Sequence, residues 1–142
     1  MSGTGPTGRT TRIQVPPNCE LTLGMRCVDK REPGRTVWQM RADERFANPT
    51  GIVQGGFLAA MADSAMGSAA ITFARAAGRS IVAANAELKT SFLAPARIGS
   101  QLECVATIVS GGARVAFAEA AITDDAGRMV VRATSTYLYI DR

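Results

Sequence analysis

The chain contains no histidine. This one absence removes the Ser-His-Asp and Cys-His arrangements of nucleophilic catalysis and every histidine-ligated zinc site. Acid-base chemistry near neutrality then falls to carboxylates. Cysteine is scarce and odd in number: Cys19, Cys27 and Cys104 form no C-x-x-C pair, so neither a disulfide framework nor a metal site is expected. They read as free thiols of a reducing compartment, and the first twelve residues lack the apolar segment of a secretory signal, so a cytoplasmic protein is expected. Sixteen Lys and Arg against 12 Asp and Glu leave a net charge of +4, with the basic residues scattered. Nucleic acid is therefore not an expected partner, while a modest positive excess suits an anionic small molecule or plain surface charge. The only long apolar run carries a carboxylate in its middle and no basic flanks, so no membrane partner is expected.

That run is the centre of the chain. Between Arg45 and Arg75 a single side chain, Asp63, is charged. From Gly55 to Ala76 the residues are mostly Ala, Met, Leu, Ile and Phe with small spacers, enough for about six turns of a helix that is apolar nearly all round and therefore buried. A carboxylate there is costly unless it is satisfied locally or kept for chemistry. Gly55 and Gly56 open the helix, where amides lack intrahelical acceptors and the dipole is positive. This makes a natural oxyanion site that glycine lets a substrate approach, although a plain tight turn has the same composition. Ser64 follows Asp63 but lies about 100° round the helix with no base, which ends a serine-hydrolase reading.

The 142 residues, 46% of them hydrophobic, suffice for one domain with a real core. Residues 1–17, rich in Gly, Thr and Pro, read as a flexible arm, and 18–142 as the folded domain. Pro17 to Gly24 suggests a short helical turn closed by glycine, and Glu32-Pro33-Gly34-Arg35 a turn joining two strands. Beyond Gly78, Ile81 to Leu93 alternates, with Val82, Ala84, Ala86, Leu88, Thr90 and Phe92 on the core face and Asn85, Glu87, Lys89 and Ser91 outside. Residues 101–110, 115–123 and 128–140 follow as a long-stranded antiparallel meander. The expected class is α+β, a long central helix wrapped by a curved antiparallel sheet.

Asn48-Pro-Thr-Gly51-Ile-Val-Gln54-Gly55-Gly56, Asp63 seven residues on, Ala94-Pro95-Ala96-Arg97-Ile98-Gly99 and Asp125-Ala126-Gly127-Arg128 form a set. This set resembles the hotdog-fold acyl-CoA thioesterases of the phenylacetate-degradation type over about residues 20 to 140. The resemblance implies hydrolysis of a coenzyme A thioester, with no cofactor beyond the coenzyme A of the substrate, in a homodimer as minimal unit and a homotetramer as expected assembly. It gives Asp63 the role of base or nucleophile, Gly55 that of oxyanion donor, and Asn48 and Asn85 supporting roles, each with an ordinary alternative as a turn or surface residue. Gln54 stands where most relatives carry His, and an amide cannot titrate near neutrality. Gly56, Met61 and Met66 are expected near the acyl group, the methionines equally as core. Lys89, Arg97 and Arg114 are candidates for the phosphates or else solvated charges. A non-catalytic acyl-CoA-binding domain is the competing function, and a hotdog dehydratase, which typically pairs His with a carboxylate, the weakest. Gly55 and Asp63 are eight residues apart, about 12 Å along one helix. A shared site between two chains is therefore expected.

Overall fold

The computed structural model describes residues 17–142 together with the paired segments Gly3–Thr4 (β1) and Thr10–Thr11 (β2). The expected arm, 1–17, lies mostly outside the described residues. A short helix α1, Asn18–Leu23, ends at Gly24 with φ 72°, where the Gly24 amide meets the carbonyl of Leu21 and the Met25 amide that of Glu20. Only a residue without a Cβ takes that left-handed cap cheaply. Strands β3, Arg26–Asp29, and β4, Arg35–Arg41, flank the Pro-Gly turn, closed by Arg35 N–H to Glu32 O at 3.1 Å with Gly34 at φ 78°, as a type II turn requires.

The central helix α2 spans Gly55–Ala76. Its buried residues, Leu58, Met61, Ala62, Ala65, Met66, Ala69, Ala70 and Ala74, recur every three or four positions and form one face. The other face is only partly covered, so the all-round burial suggested by composition is corrected: the sheet encloses one side. Strands β5 (Ile81–Phe92), β6 (Gln101–Gly111), β7 (Val115–Thr123) and β8 (Met129–Asp141) complete a six-stranded antiparallel sheet in the order β3-β4-β6-β7-β8-β5. The helix lies on a floor of small residues, Ala106, Ala116, Ala118, Ala120 and Ala133, all buried. Small faces on both sides let backbone approach backbone, and the buried Thr36 hydroxyl spends its proton on the Ala65 carbonyl at 2.8 Å.

β5 departs from the expected alternation. Asn85 and Ala86 together oppose Tyr137 of β8, a bulge that leaves Ala86 outside the ladder. Before it Ile81, Ala83 and Asn85 face the helix. After it Leu88, Thr90 and Phe92 do, opposite Ser135, Ala133 and Val131. The expected core face is therefore right from Leu88 onward and inverted before the bulge. One extra residue shifts a period-two pattern by half a cycle.

Candidate active site

Asp63 stands on α2 within hydrogen-bond reach of β5 and β8. Asn85 donates from Nδ2 to Asp63 Oδ1 at 2.8 Å, and the Tyr137 hydroxyl donates to the same oxygen at 2.7 Å, with the Asp63 carbonyl a further 2.9 Å contact. The two donors are direct partners across the β5–β8 ladder. Without the bulge, continuous alternation would send Asn85 to the outer surface. The expected outward placement is thus overturned: Asn85 points at Asp63. Burial and then the bond to the Asp63 carboxylate push the Tyr137 hydroxyl well above the usual phenol range, so it remains a proton donor across the physiological range. Tyr137 escaped the sequence reading because an aromatic on an alternating strand looks like core. The signal was there nonetheless: a buried tyrosine needs a partner for its hydroxyl, and the apolar helix offers one carboxylate.

The other half of the expected site lies at the helix start. Gln54 caps the helix with its backbone, its own amide bonded to Phe46 O at 2.8 Å and its carbonyl to the Phe57 amide at 3.0 Å, while its side chain caps nothing. Among the described residues, the amides of Gly55 and Gly56 meet no protein acceptor. The Phe92 ring lies so close over Gly55 that a Cβ there would stand 2.9 Å from it, whereas Gly56 faces open space. Beside them is a groove of about 380 Å³ walled by Ile52, Leu58, Phe92, Leu93 and Pro95, with Asn48 and Gly55 at its polar edge. It is an apolar cleft edged by a few polar groups, the general form of a small-molecule site. Asn48 also holds its own loop: Oδ1 accepts from the Thr50 amide at 2.9 Å and its hydroxyl at 2.7 Å. The turn role is therefore realised.

The remaining candidates divide. Met61 and Met66 are wholly buried in the core, the alternative given for them beside a place near the acyl group. Arg97 bridges to Ile52 at the groove. Lys89 instead borders a shallow 210 Å³ hollow on the outer sheet face with Ser91, Arg132 and Thr134. Arg114 sits in the β6–β7 turn, near the far end of α2, where Gly111 touches Phe73. With α2 about 33 Å long, Arg97 and Arg114 of one protomer cannot hold one diphosphate. In the single chain the three cations stand at separate places, which suits the solvated-charge alternative given for each.

A long helix cradled by one antiparallel sheet, with a carboxylate at mid-helix and a glycine pair at its start, is the hotdog architecture. Comparison with known proteins agrees. Residues 50–131 match the thioesterase superfamily. Human acyl-coenzyme A thioesterase 13 is 25% identical over 121 residues, 84% of this chain and 83% of that protein. Among solved structures, the PaaI protein of the phenylacetic acid degradation operon of E. coli superposes with a TM-score of 0.79 at 20% identity, covering 86% of this chain and 83% of that one. A hypothetical thioesterase protein from Streptococcus pneumoniae solved with coenzyme A gives 0.75 at 19% identity, over 83% and 87%. The chain belongs to the thioesterase superfamily.

Proposed function

We propose that the protein hydrolyses acyl-CoA thioesters, with Asp63 as the base that activates water. The observation that carries this is the Asp63 carboxylate held at Oδ1 by two neutral donors, Asn85 and Tyr137, on an otherwise apolar helix. In the proposed reaction Asp63 takes a proton from water, the resulting hydroxide adds to the thioester carbonyl, and backbone amides at Gly55 stabilise the oxyanion. Collapse then breaks the C–S bond and releases the thiolate of coenzyme A, with the protonated carboxyl available to return its proton. The relative named for acyl-coenzyme A and the neighbour solved with coenzyme A support this substrate class. The chemistry needs no cofactor besides the coenzyme A of the substrate, and three free thiols suit a cytoplasmic setting.

The site is shared in this reading. Asp63 and the Gly55 amide are about 12 Å apart along one helix, too far for one carbonyl, and β5 is a sheet edge whose residues 85–89 are exposed. An exposed edge of this length is a ready template for another strand. A second copy joined there extends the sheet and brings Gly55 of one protomer toward Asp63 of its partner, with a homotetramer built from two such dimers. The test is thiol release from a panel of acyl-CoAs. Wild type should turn over at least one, and Asp63→Asn should lose about a thousandfold in kcat while still binding it. Binding without turnover by wild type would instead support the non-catalytic domain. For the shared site, Gln54 has φ −64° and ψ 137°, values that accept a following proline, so Gly55→Pro removes the amide once the exposed Phe92 ring swings aside. Mixing that variant with Asp63→Asn should restore about a quarter of wild-type activity in a subunit-exchanging dimer. Exchange without recovery would reject the shared site.

A further inference from the structure

We infer that Tyr137 is a positioning residue of this reaction: its hydroxyl, with Asn85, immobilises Oδ1 of Asp63 and so leaves Oδ2 as the oxygen that works on water. The inference rests on the reaction proposed above and goes a step further, to which atom of the carboxylate acts. Both donors converge on Oδ1, at 2.7 and 2.8 Å, while among the described residues no protein group is bonded to Oδ2. A carboxylate free to rotate presents either oxygen over a range of angles, and a general base must meet its water within hydrogen-bond reach in one orientation. Two donors from two strands on one oxygen remove that freedom.

Tyr137 is built for this and not for contact with substrate. It is 2% exposed, so its hydroxyl is out of reach of the groove. Its ring lies against Gly67, one helical turn beyond Asp63, where an added Cβ would be 3.5 Å from Cε1. The glycine gives the ring a flat seat from which the hydroxyl reaches back along the helix. Because Asn85 and Tyr137 are ladder partners, the hydrogen bonds of the sheet fix their separation, and the donor pair moves as one body. A further titratable group that acts on Tyr137 is the thiol of Cys104 on β6, which burial pushes up to about 12 and so keeps neutral. The donor pair itself brings no charge to Asp63. Its contribution is direction.

The experiment is Tyr137→Phe, assayed with the acyl-CoA that wild type hydrolyses best, measuring kcat and KM separately alongside the melting temperature. Phe keeps the ring and its seat on Gly67 and removes one charge-assisted hydrogen bond. We expect kcat to fall about 10- to 100-fold, KM to stay within about threefold and the fold to persist. A kcat within twofold of wild type, or a loss carried by KM, overturns the positioning role. If Tyr137→Phe does not fold, 3-fluorotyrosine installed at 137 keeps shape and hydroxyl but strengthens the donor. A kcat change of about twofold or more at constant KM then supports the role, and no change overturns it. Wild type that hydrolyses no acyl-CoA overturns the reaction and this role together, whereas an active wild type with an indifferent Tyr137→Phe overturns this role alone.

Discussion

Strands β7 and β5 belong to one sheet and pack under one helix, yet they are built on different rules. Along β7 the core face is kept from end to end: Ala116, Ala118, Ala120 and Ile122 are all buried, and their outward neighbours are not. β7 is paired on both sides, by β6 and β8, so any slip would break two ladders at once. β5 is paired only to β8, so it takes an extra residue at Ala86 without disturbing a second neighbour. The interior strand is constrained by packing, and the edge strand has freedom to aim a side chain. The structure uses that freedom on Asn85.

Single-residue deletions break this comparison most sharply. Removing Glu119 from the middle of β7 forces half of that strand to turn its buried residues outward, and we expect no cooperatively folded protein, read by the absence of a thermal transition. Removing Ala86 from β5 has the opposite character. It deletes the residue outside the ladder, so Asn85 still opposes Tyr137 and the residues on both sides keep their faces. The variant should fold, but with the local twist of the bulge relaxed and Asn85 displaced from Asp63, kcat should drop about 10-fold or more. A ΔAla86 protein that fails to melt cooperatively would contradict the reading of the bulge as an isolated insertion.

The same contrast explains what could be read from the residues. β6, β7, β8 and α2 were legible to within a residue or so because their patterns are uninterrupted and their turns carry Gly or Asp-Gly-type signals. Gly24 and the Pro33-Gly34 turn were legible because their backbone angles demand glycine. The isolated carboxylate at Asp63 pointed to the candidate site from composition alone. The bulge was not legible: Val-Ala-Ala-Asn-Ala-Glu-Leu scans as smooth alternation, and the phase shift is decided by which residues β8 and the helix can accept. Tyr137 was hidden for the same reason, since its meaning depends on a helix 74 positions earlier in the chain. Lys89, Arg97 and Arg114 looked alike as cations, and only the sheet order separates them.

A smaller effect tests whether every bulge in the sheet has a functional use. β6 carries one at Val109, which is 63% exposed, and beyond it Gly111 lies under Phe73 near the end of α2. A Cβ at Gly111 would stand 2.3 Å from that ring. The ring's edge must move, so Gly111→Ala should destabilise by about 1 to 3 kcal/mol, partly offset by the reduced freedom of the unfolded chain. Chemical denaturation reads this directly. Because the site lies toward the other end of the helix, kcat should be unchanged. This bulge serves packing, and a kcat loss beyond about twofold would show that the two ends of α2 are coupled.

The smallest effect comes from the bulge in β3, where Val28 is the extra residue and Asp29 resumes the ladder opposite Val37. Asp29 turns back on the chain: Oδ1 accepts from the amide and Nε of Arg31 at 3.1 Å each, and Oδ2 from the guanidinium at 3.0 Å. The bonds from the Arg31 side chain, then that from its amide, lower the carboxyl to about 2 from its ordinary 3.8. The folded state therefore holds the charged form more strongly than the unfolded chain does. Its contribution is complete above about pH 4 and is lost as the pH falls through about 2. Melting temperatures of wild type and Asp29→Asn should differ by a constant small amount, about one or two degrees, from neutrality down to about pH 4. Below that the two curves should converge. Since Arg31 is 90% exposed, salt should shrink the difference as well. Activity should not change, because this bulge aims a carboxylate at a surface arginine whereas the one in β5 aims an amide at Asp63. A gap that widens on acidification would reverse the sign of the linkage and show that the Arg31 contact is not what stabilises the charged form.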